Sequence, residues 1–178
     1  TLLKDKISIR ALQIWDNKVW YSGTDSKFGY VSLIDSADKV QMKLSDKKLE
    51  FRTLAQTKTH FHLINIESPA YEYSVNKQTL KFAMFITDTR KTAFYDAYSI
   101  DKFGRGVAIS DPNETGSANP RIQLQGVANP SNPVIPDFPK YFPGEAHFAA
   151  SNSNIAMSSG KVWIATGGTH ARIFKFNW

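Results

Sequence analysis

Short apolar runs separated by turn residues dominate the chain, and two of these runs are near copies of each other. Residues 18–24 read Lys-Val-Trp-Tyr-Ser-Gly-Thr, and residues 161–167 read Lys-Val-Trp-Ile-Ala-Thr-Gly. Both end in Gly and Thr, which is typical of a strand that enters a turn. Each copy also has a further apolar run on either side, so the pattern predicts a unit of antiparallel strands that occurs twice.

The residues between the two copies alternate with period two, which favours strands over helices. Strands are predicted at 61–66, 71–75, 80–86, 93–100, 106–110 and 121–124. Segment 38–49 could form a helix, although the alternation of Val40, Met42 and Leu44 fits an outer strand at least as well. The second strands of four successive units centre on Trp20, Leu63, Val107 and Trp163, at steps of 43, 44 and 56 residues.

A period of 40–45 residues with several short strands is typical of β-propeller blades, because one small sheet cannot cover both of its faces. The predicted fold class is therefore all-β, a β-propeller or partial propeller with about four blades. It forms one domain over 1–178, with repeats near 5–46, 47–90, 91–128 and 144–178. A β-sandwich is the alternative fold, but it gives no reason for Lys-Val-Trp to return.

Four blades are few for a propeller, and open sheets are prone to aggregate. We therefore expect the chain to need further blades or another chain to close its ring. Seven of the eight prolines lie between Pro112 and Pro143, so segment 129–143 is predicted to be an extended surface loop. Gly167 and Gly168 are expected to be hairpin glycines.

Composition limits the classes of function. The net charge of +6 comes from 22 basic and 16 acidic residues spread along the chain, which does not favour nucleic-acid binding. The absence of cysteine excludes disulfides, thiolate catalysis and cysteine-based zinc sites, and no apolar run is long enough to span a membrane. The chain starts at Thr1 instead of Met, which is compatible with an exported protein, and a periplasmic or extracellular location is expected.

Several short segments carry a family resemblance. They are Arg10-Ala-Leu, Val19-Trp20-Tyr-Ser-Gly-Thr, Phe94-Tyr95-Asp96-Ala97, Ser110-Asp111-Pro112, Gly144-Glu145-Ala146 with the following Phe148, and Ala165-Thr166-Gly167-Gly168. With them the chain resembles the WD40/YVTN/BNR-like repeat proteins of Bacteroidetes, often labelled "oxidoreductase". These proteins are distant relatives of the photosystem II stability/assembly factor and of sialidase-type propellers. The Ser-x-Asp-x-Gly-x-Thr-Trp box of sialidase-type blades is absent, and no dinucleotide-binding motif supports the oxidoreductase label.

The resemblance implies a candidate binding mouth. It puts Arg10, Tyr95 with Asp96, and Glu145 at the starts of inner strands, which converge at one end of a propeller. An arginine, a tyrosine and two carboxylates could form a sialidase-like glycosidase site. The simpler interpretation is that these groups hydrogen-bond one blade to the next. The chain has six arginines, and one alone lies in an inner-strand motif, so the simpler interpretation is favoured and no catalytic residue is assigned.

Two other motifs could suggest a metal site. His60 and His62 lie on one face of a strand, but no nearby residue supplies a third ligand. Asp111, Asn113 and Thr115 resemble the start of a calcium loop, yet the twelfth position is Ile122 where a bidentate Glu would be needed. We therefore expect a polar strand face and a turn, with no metal and no cofactor.

The sequence favours a non-catalytic β-propeller that acts as an interaction module, with a protein or a glycan as its partner. Two alternatives stay open. One is a glycoside hydrolase or lyase of the sialidase-like propeller type. The other is a subunit or plug of a larger envelope complex.

Overall fold

The computed structural model describes residues 2–117, 121–123, 138–148 and 152–177, and every regular element of these residues is a β-strand. The strands are β1 (Ile9–Trp15), β2 (Lys18–Gly23), β3 (Lys27–Ser32), β4 (Lys39–Lys43), β5 (Ala55–Gln56), β6 (His60–Ile64), β7 (Ala70–Asn76), β8 (Phe82–Asp88), β9 (Tyr95–Ile100), β10 (Gly106–Ser110), β11 (Arg121–Gln123), β12 (Glu145–Ala146), β13 (Ile155–Ser158), β14 (Lys161–Ala165), β15 (Gly167–Gly168) and β16 (Ile173–Asn177).

Fourteen of the sixteen strands in the described residues form four antiparallel sheets that follow one another along the chain. Blade 1 contains β1 to β4, and blade 2 contains β5 to β8. Blade 3 contains β9, β10 and β11, and blade 4 contains β13, β14 and β16. The short strands β12 and β15 pair with each other beside blade 4.

The near-identical segments have the same local structure. The turn before Lys18 is formed by Asp16 and Asn17, both at a φ of 53°. The turn before Lys161 is formed by Ser159 and Gly160, at φ values of 49° and 73°. Two successive residues at positive φ make the tight turn whose twist suits a two-residue hairpin. Each copy therefore becomes the second strand of a sheet, as the repeat predicts.

A hydrophobic core lies between each pair of consecutive blades. Trp20 and Phe28 of blade 1 pack with Phe61 of blade 2. A second core joins blade 2 to Tyr95 and Tyr98 of blade 3, and a third joins blade 3 to blade 4. The sheets thus stack in chain order as the blades of a partial propeller do, instead of forming the two facing layers of a sandwich.

The inner strands meet at one backbone carbonyl. The Leu54 oxygen accepts hydrogen bonds of 3.0 Å from the side-chain amides of Gln13, in blade 1, and Asn152, which precedes blade 4. Asn152 also bonds the backbone of Tyr98 in blade 3, accepting at 2.7 Å and donating at 2.9 Å. All four blades are therefore linked at this point.

One prediction about the loops is wrong. Gly167 and Gly168 form β15 instead of a hairpin turn, and Gly168, at a φ of 103°, lies so close to the Gly144 carbonyl that a Cβ would collide with it. The part of the proline-rich segment at 138–143 packs on blade 4, where Tyr141 is buried and the Phe138 ring lies 5.0 Å from the Phe174 ring. Aromatic burial fixes this segment although its prolines prevent strand pairing. Residues 129–137 lie outside the described part of the chain.

Each blade has a leading face, toward the next blade along the chain, and a trailing face, toward the previous one. None of the three cores in the described residues joins blade 4 to blade 1. The leading face of blade 4 and the trailing face of blade 1 are therefore the two ends of the stack.

Candidate functional site

The structure does not bring the four residues of the predicted mouth together at one exposed surface. Arg10 is exposed on β1 and forms no ion pair with a carboxylate of the described residues. Tyr95 and Asp96 are buried in β9, and the Tyr95 hydroxyl donates a 3.1 Å hydrogen bond to Asp88 of blade 2. Glu145 lies in β12 and does not begin an inner strand, because the inner strand of blade 4 starts only at Ile155.

Glu145 is held by groups of its own blade. Its carboxylate pairs with Arg172 at 2.6 Å and accepts hydrogen bonds from the Thr166 hydroxyl at 2.5 Å and from the Phe142 backbone N–H at 2.9 Å. The hydrogen bonds from Arg172, followed by that from Thr166, lower the pKa of Glu145 to about 2. This carboxylate therefore stays ionised and fastens segment 138–147 to blade 4.

Asp96 has the opposite character. Its side chain is fully buried, and neither carboxyl oxygen has a hydrogen-bond partner. Burial, and next the neighbouring carboxylate of Asp111, raise the pKa of Asp96 to about 9, while the positive charge of Arg52 acts in the other direction. Two ionised carboxylates cannot hydrogen-bond to each other, whereas a protonated Asp96 can donate to Asp111. Asp96 is therefore a neutral acid at pH 7.

Asp111 and His147 extend this cluster to blade 4. The Asp111 carboxylate accepts a 2.9 Å hydrogen bond from the His147 backbone N–H. His147 Nδ1 lies 3.0 Å from the Ala165 carbonyl and must donate to it, so Nε2 accepts from the Tyr141 hydroxyl at 2.5 Å. Burial lowers the pKa of His147, which keeps the ring neutral.

Asp96, Asp111, Tyr141, Glu145, His147 and Arg172 thus form a polar cluster between blades 3 and 4. Asp96 and Glu145 were predicted from the sequence as site residues, whereas the other four members of this cluster were not. The spacing of Glu145 and His147 could have indicated that these two side chains belong to one cluster, because residues two apart in an extended chain lie on the same face. Polar groups buried to this degree usually join structural elements.

His60 and His62 share the leading face of blade 2, with ring centroids 6.2 Å apart, so the predicted polar strand face is confirmed. The buried Glu72 carboxylate contacts His62 Nδ1 at 3.0 Å and accepts a 3.1 Å hydrogen bond from the Tyr98 hydroxyl. In the described residues no three His, Asp or Glu side chains are grouped as metal ligands. The predicted turn at 111–116 is also confirmed, since Asn113 accepts hydrogen bonds from the backbone N–H groups of Thr115 and Ser117.

The sequence analysis also missed a cleft between blades 2 and 3. The described part of blade 3 has three strands and blade 2 has four, so the outer half of the leading face of blade 2 has no facing strand there. The cleft has a volume of about 890 Å³, and it is bounded on the blade 3 side by the β9–β10 hairpin. Its wall on blade 2 includes His60, Ser74 and Asn76.

The rim of this cleft is basic and aromatic. Lys58, Lys81 and Lys102 lie around it with their side chains exposed. Asp101, the one acidic group among the described residues that line the cleft, is paired with Arg105 at 2.6 Å, so the lysines determine the charge of this rim. Phe103 is 66% exposed at this rim, whereas the Phe82 ring lies 6.0 Å from that of Tyr73 on the opposite face of blade 2. A cleft with cationic and aromatic groups at its edge suits a ligand that carries negative charge.

Known structures share the fold. No family model matches the chain, and no curated protein sequence matches it. It is similar to the computationally designed Ika4 protein, with a TM-score of 0.66 and 9% identity over 99% of this chain and 95% of that one. It is also similar to the WD40 repeats of RRP9, with a TM-score of 0.61 and 10% identity over 92% of this chain. The extracellular domain of BT4673 from B. thetaiotaomicron is similar with a TM-score of 0.60 and 16% identity over 95% of this chain.

The chain spans 46% of the RRP9 chain and 21% of the BT4673 chain. These likenesses show the fold: the protein is an all-β partial propeller with about four blades. The described residues contain no helix with the length and apolar character needed to cross a membrane.

Proposed function

We propose that the protein is a non-catalytic β-propeller interaction module that binds an acidic segment of a protein partner in the cleft between blades 2 and 3. The observation that carries this proposal is the open cleft itself, with three lysines and the exposed Phe103 at its rim. The carboxylates of the predicted mouth are buried and hold blades together, so they are less suited to contact a ligand.

The proposal places the module outside the cytoplasm, in the periplasm or the extracellular space. It also relates the chain to the WD40/YVTN/BNR-like repeat proteins of Bacteroidetes. The likeness to an extracellular domain from B. thetaiotaomicron supports both parts of the proposal.

The test is a charge reversal with a matched control. The variant Lys58→Glu/Lys81→Glu/Lys102→Glu reverses the rim, whereas Lys4→Glu/Lys48→Glu/Lys91→Glu changes the same net charge at exposed sites outside the cleft. With a fluorescent poly-glutamate peptide as the probe, we expect the rim variant to bind at least about tenfold more weakly and the control variant within about twofold of wild type. Equal weakening in both variants would show a dependence on net charge alone and would contradict the proposal.

A second candidate function is a glycoside hydrolase, and one observation favours it. Asp96 is a neutral acid beside the carboxylate of Asp111, and paired carboxyl groups in different protonation states are what glycosidic acid–base chemistry uses. A glycan panel assayed with wild type, Asp96→Asn and Glu145→Gln separates the two functions. Turnover by wild type that is lost in folded Asp96→Asn would establish the enzyme and overturn the interaction module, and turnover in none of the three would support the module.

A further inference from the structure

The leading face of blade 4 has the character of a blade interface, yet none of the four described blades covers it. Val162 and Ile164 of β14 pack toward blade 3, so the alternate residues Trp163 and Ala165 lie on the opposite face. Ala165 pairs across the sheet with Ile173, which is 72% exposed. An apolar cross-strand pair on an otherwise open face is typical of an interaction surface.

The sequence repeat shows what this face is suited to contact. Trp163 occupies the position in blade 4 that Trp20 occupies in blade 1, in the middle of the second strand and on the leading face. Trp20 is 2% exposed because blade 2 covers it, with the Phe61 ring 4.5 Å away. Trp163 is only partly buried. By this equivalence, the leading face of blade 4 fits the trailing face of another blade.

The trailing face of blade 1 is the matching open surface. Leu12 and Ile14 lie on it, opposite the core residue Ala11, and are 59% and 66% exposed. Much of the rest of this face is covered, because Tyr21 and Val31 are buried on it and Asp5 of the preceding segment contacts Lys27 and Gln41. The inner part of the face stays open and apolar.

The length of the arc fits a second copy of the same chain. Four blades match 92% of this chain to 46% of the RRP9 WD40 chain, so they follow about half of such a ring. A second copy would bring an open trailing face that can cover blade 4 of the first copy. It would also bring an open leading face that can cover blade 1 of the first copy. We propose that two copies of this chain associate head to tail, with blade 4 of each on blade 1 of the other, and close one ring with two-fold symmetry.

The charges at the two faces predict how this contact responds to salt. Lys175 lies on the leading face of blade 4, and Lys39 and Lys43 lie on the trailing face of blade 1, with Lys43 beside Asp25 at 3.2 Å. The exposed apolar side chains of the two faces would drive the association, and the lysines on β4 and β16 would oppose it. Added sodium chloride should therefore tighten the dimer by screening the repulsion between lysines. This proposal does not depend on the cleft between blades 2 and 3.

Cross-linking of single-cysteine variants tests the arrangement directly, because the chain has no cysteine of its own. Leu12→Cys and Ile173→Cys are exposed substitutions that preserve the fold, as circular dichroism would verify. With a short bis-maleimide, we expect covalent dimers from a mixture of the two variants and about tenfold fewer from either variant alone. Equal cross-linking of each variant with itself would indicate a face-to-face dimer, and no cross-linking above that of a Lys91→Cys control would indicate a monomer. Either result would overturn the proposal.

Discussion

Trp20 and Trp163 lie at equivalent positions in nearly identical strands, yet one is in a core and the other is at an end of the stack. Trp20 contacts the rings of Phe28 and Tyr30 in its own blade and of Phe61 in blade 2. The cross-strand partner of Trp163 on β16 is Lys175, where Trp20 has Tyr30. The comparison shows that a strand sequence specifies a blade, whereas the neighbouring blade determines how much that blade stabilises the protein.

The largest expected effect comes from removing each tryptophan in turn. Trp20→Ala should lower the free energy of unfolding by about 3–5 kcal/mol, because it leaves a cavity in the core between blades 1 and 2. Trp163→Ala should lower it by less than about 1 kcal/mol at concentrations where the chain is monomeric. Urea unfolding followed by circular dichroism measures both values. Equal losses would show that the two faces are equally covered and would break the comparison.

A substitution of Glu145 tests how strongly its ion pair with Arg172 stabilises the side of blade 4 that faces blade 3. Glu145→Gln should lower the free energy of unfolding at pH 7 by about 2–4 kcal/mol, because Arg172 loses its partner. The pKa of Glu145 is about 2 in the folded protein, below its ordinary value of 4.5. Its stabilisation is therefore present above about pH 4.5 and is lost as the pH falls toward 2.

Urea unfolding of wild type and Glu145→Gln between pH 7 and pH 2.5 tests this dependence. The two curves should approach each other on acidification. A difference that is independent of pH would show that the ion pair is not its source.

Asp96 lies in the same interface between blades 3 and 4, and its contribution to stability should depend on pH in the opposite direction. The folded pKa of about 9 lies above the ordinary value of 3.8, so the unfolded chain releases this proton first. The contribution of Asp96 to stability therefore falls as the pH rises from about 4 to 9. Asp96→Asn should raise the free energy of unfolding at pH 8 by roughly 1–3 kcal/mol, since it removes a buried group that is costly to ionise.

Thermal unfolding of Asp96→Asn and wild type at pH 5 and pH 8 measures this effect. Asp111→Asn is the control, because it should lower the pKa of Asp96 while Asp96 itself remains. A variant that is less stable than wild type at pH 8 would show that ionised Asp96 is stabilised in the fold.

The smallest effect is expected at the open face. Ile164 and Ile173 belong to paired strands of blade 4, one buried in the core toward blade 3 and the other exposed. Ile173→Ala should change the free energy of unfolding of the monomer by less than about 0.5 kcal/mol, whereas Ile164→Ala should lower it by about 2–4 kcal/mol. Urea titrations of the two variants make this comparison within a single sheet.

Local signals in the sequence predicted the strands and the order of the blades. Alternation at Val40 and Met42 fitted an outer strand at least as well as a helix, and the strand is β4. The returning Lys-Val-Trp identified the second strands of blades 1 and 4. Features that depend on contacts distant in sequence were not predictable in the same way. Glu145 was assigned to an inner strand because nothing local indicated that Arg172 would bind it 27 residues later.

The cleft escaped prediction for a related reason. It lies between two sheets, with blade 2 on one side and the β9–β10 hairpin on the other, and single strands do not reveal how two sheets pack. Segment 138–143 was predicted as a loop from its prolines, whereas the burial of Tyr141 decided its position. Strand patterns thus predict the sheets, and the packing between sheets determines the sites.

The mass of the chain in solution tests the central claim most directly. If the exposed faces of blades 1 and 4 are complementary ends of a half ring, sedimentation equilibrium should show a species of twice 20.0 kDa that forms with rising concentration and is favoured by salt. A single species of 20.0 kDa from low micromolar to near-millimolar concentration would contradict the account.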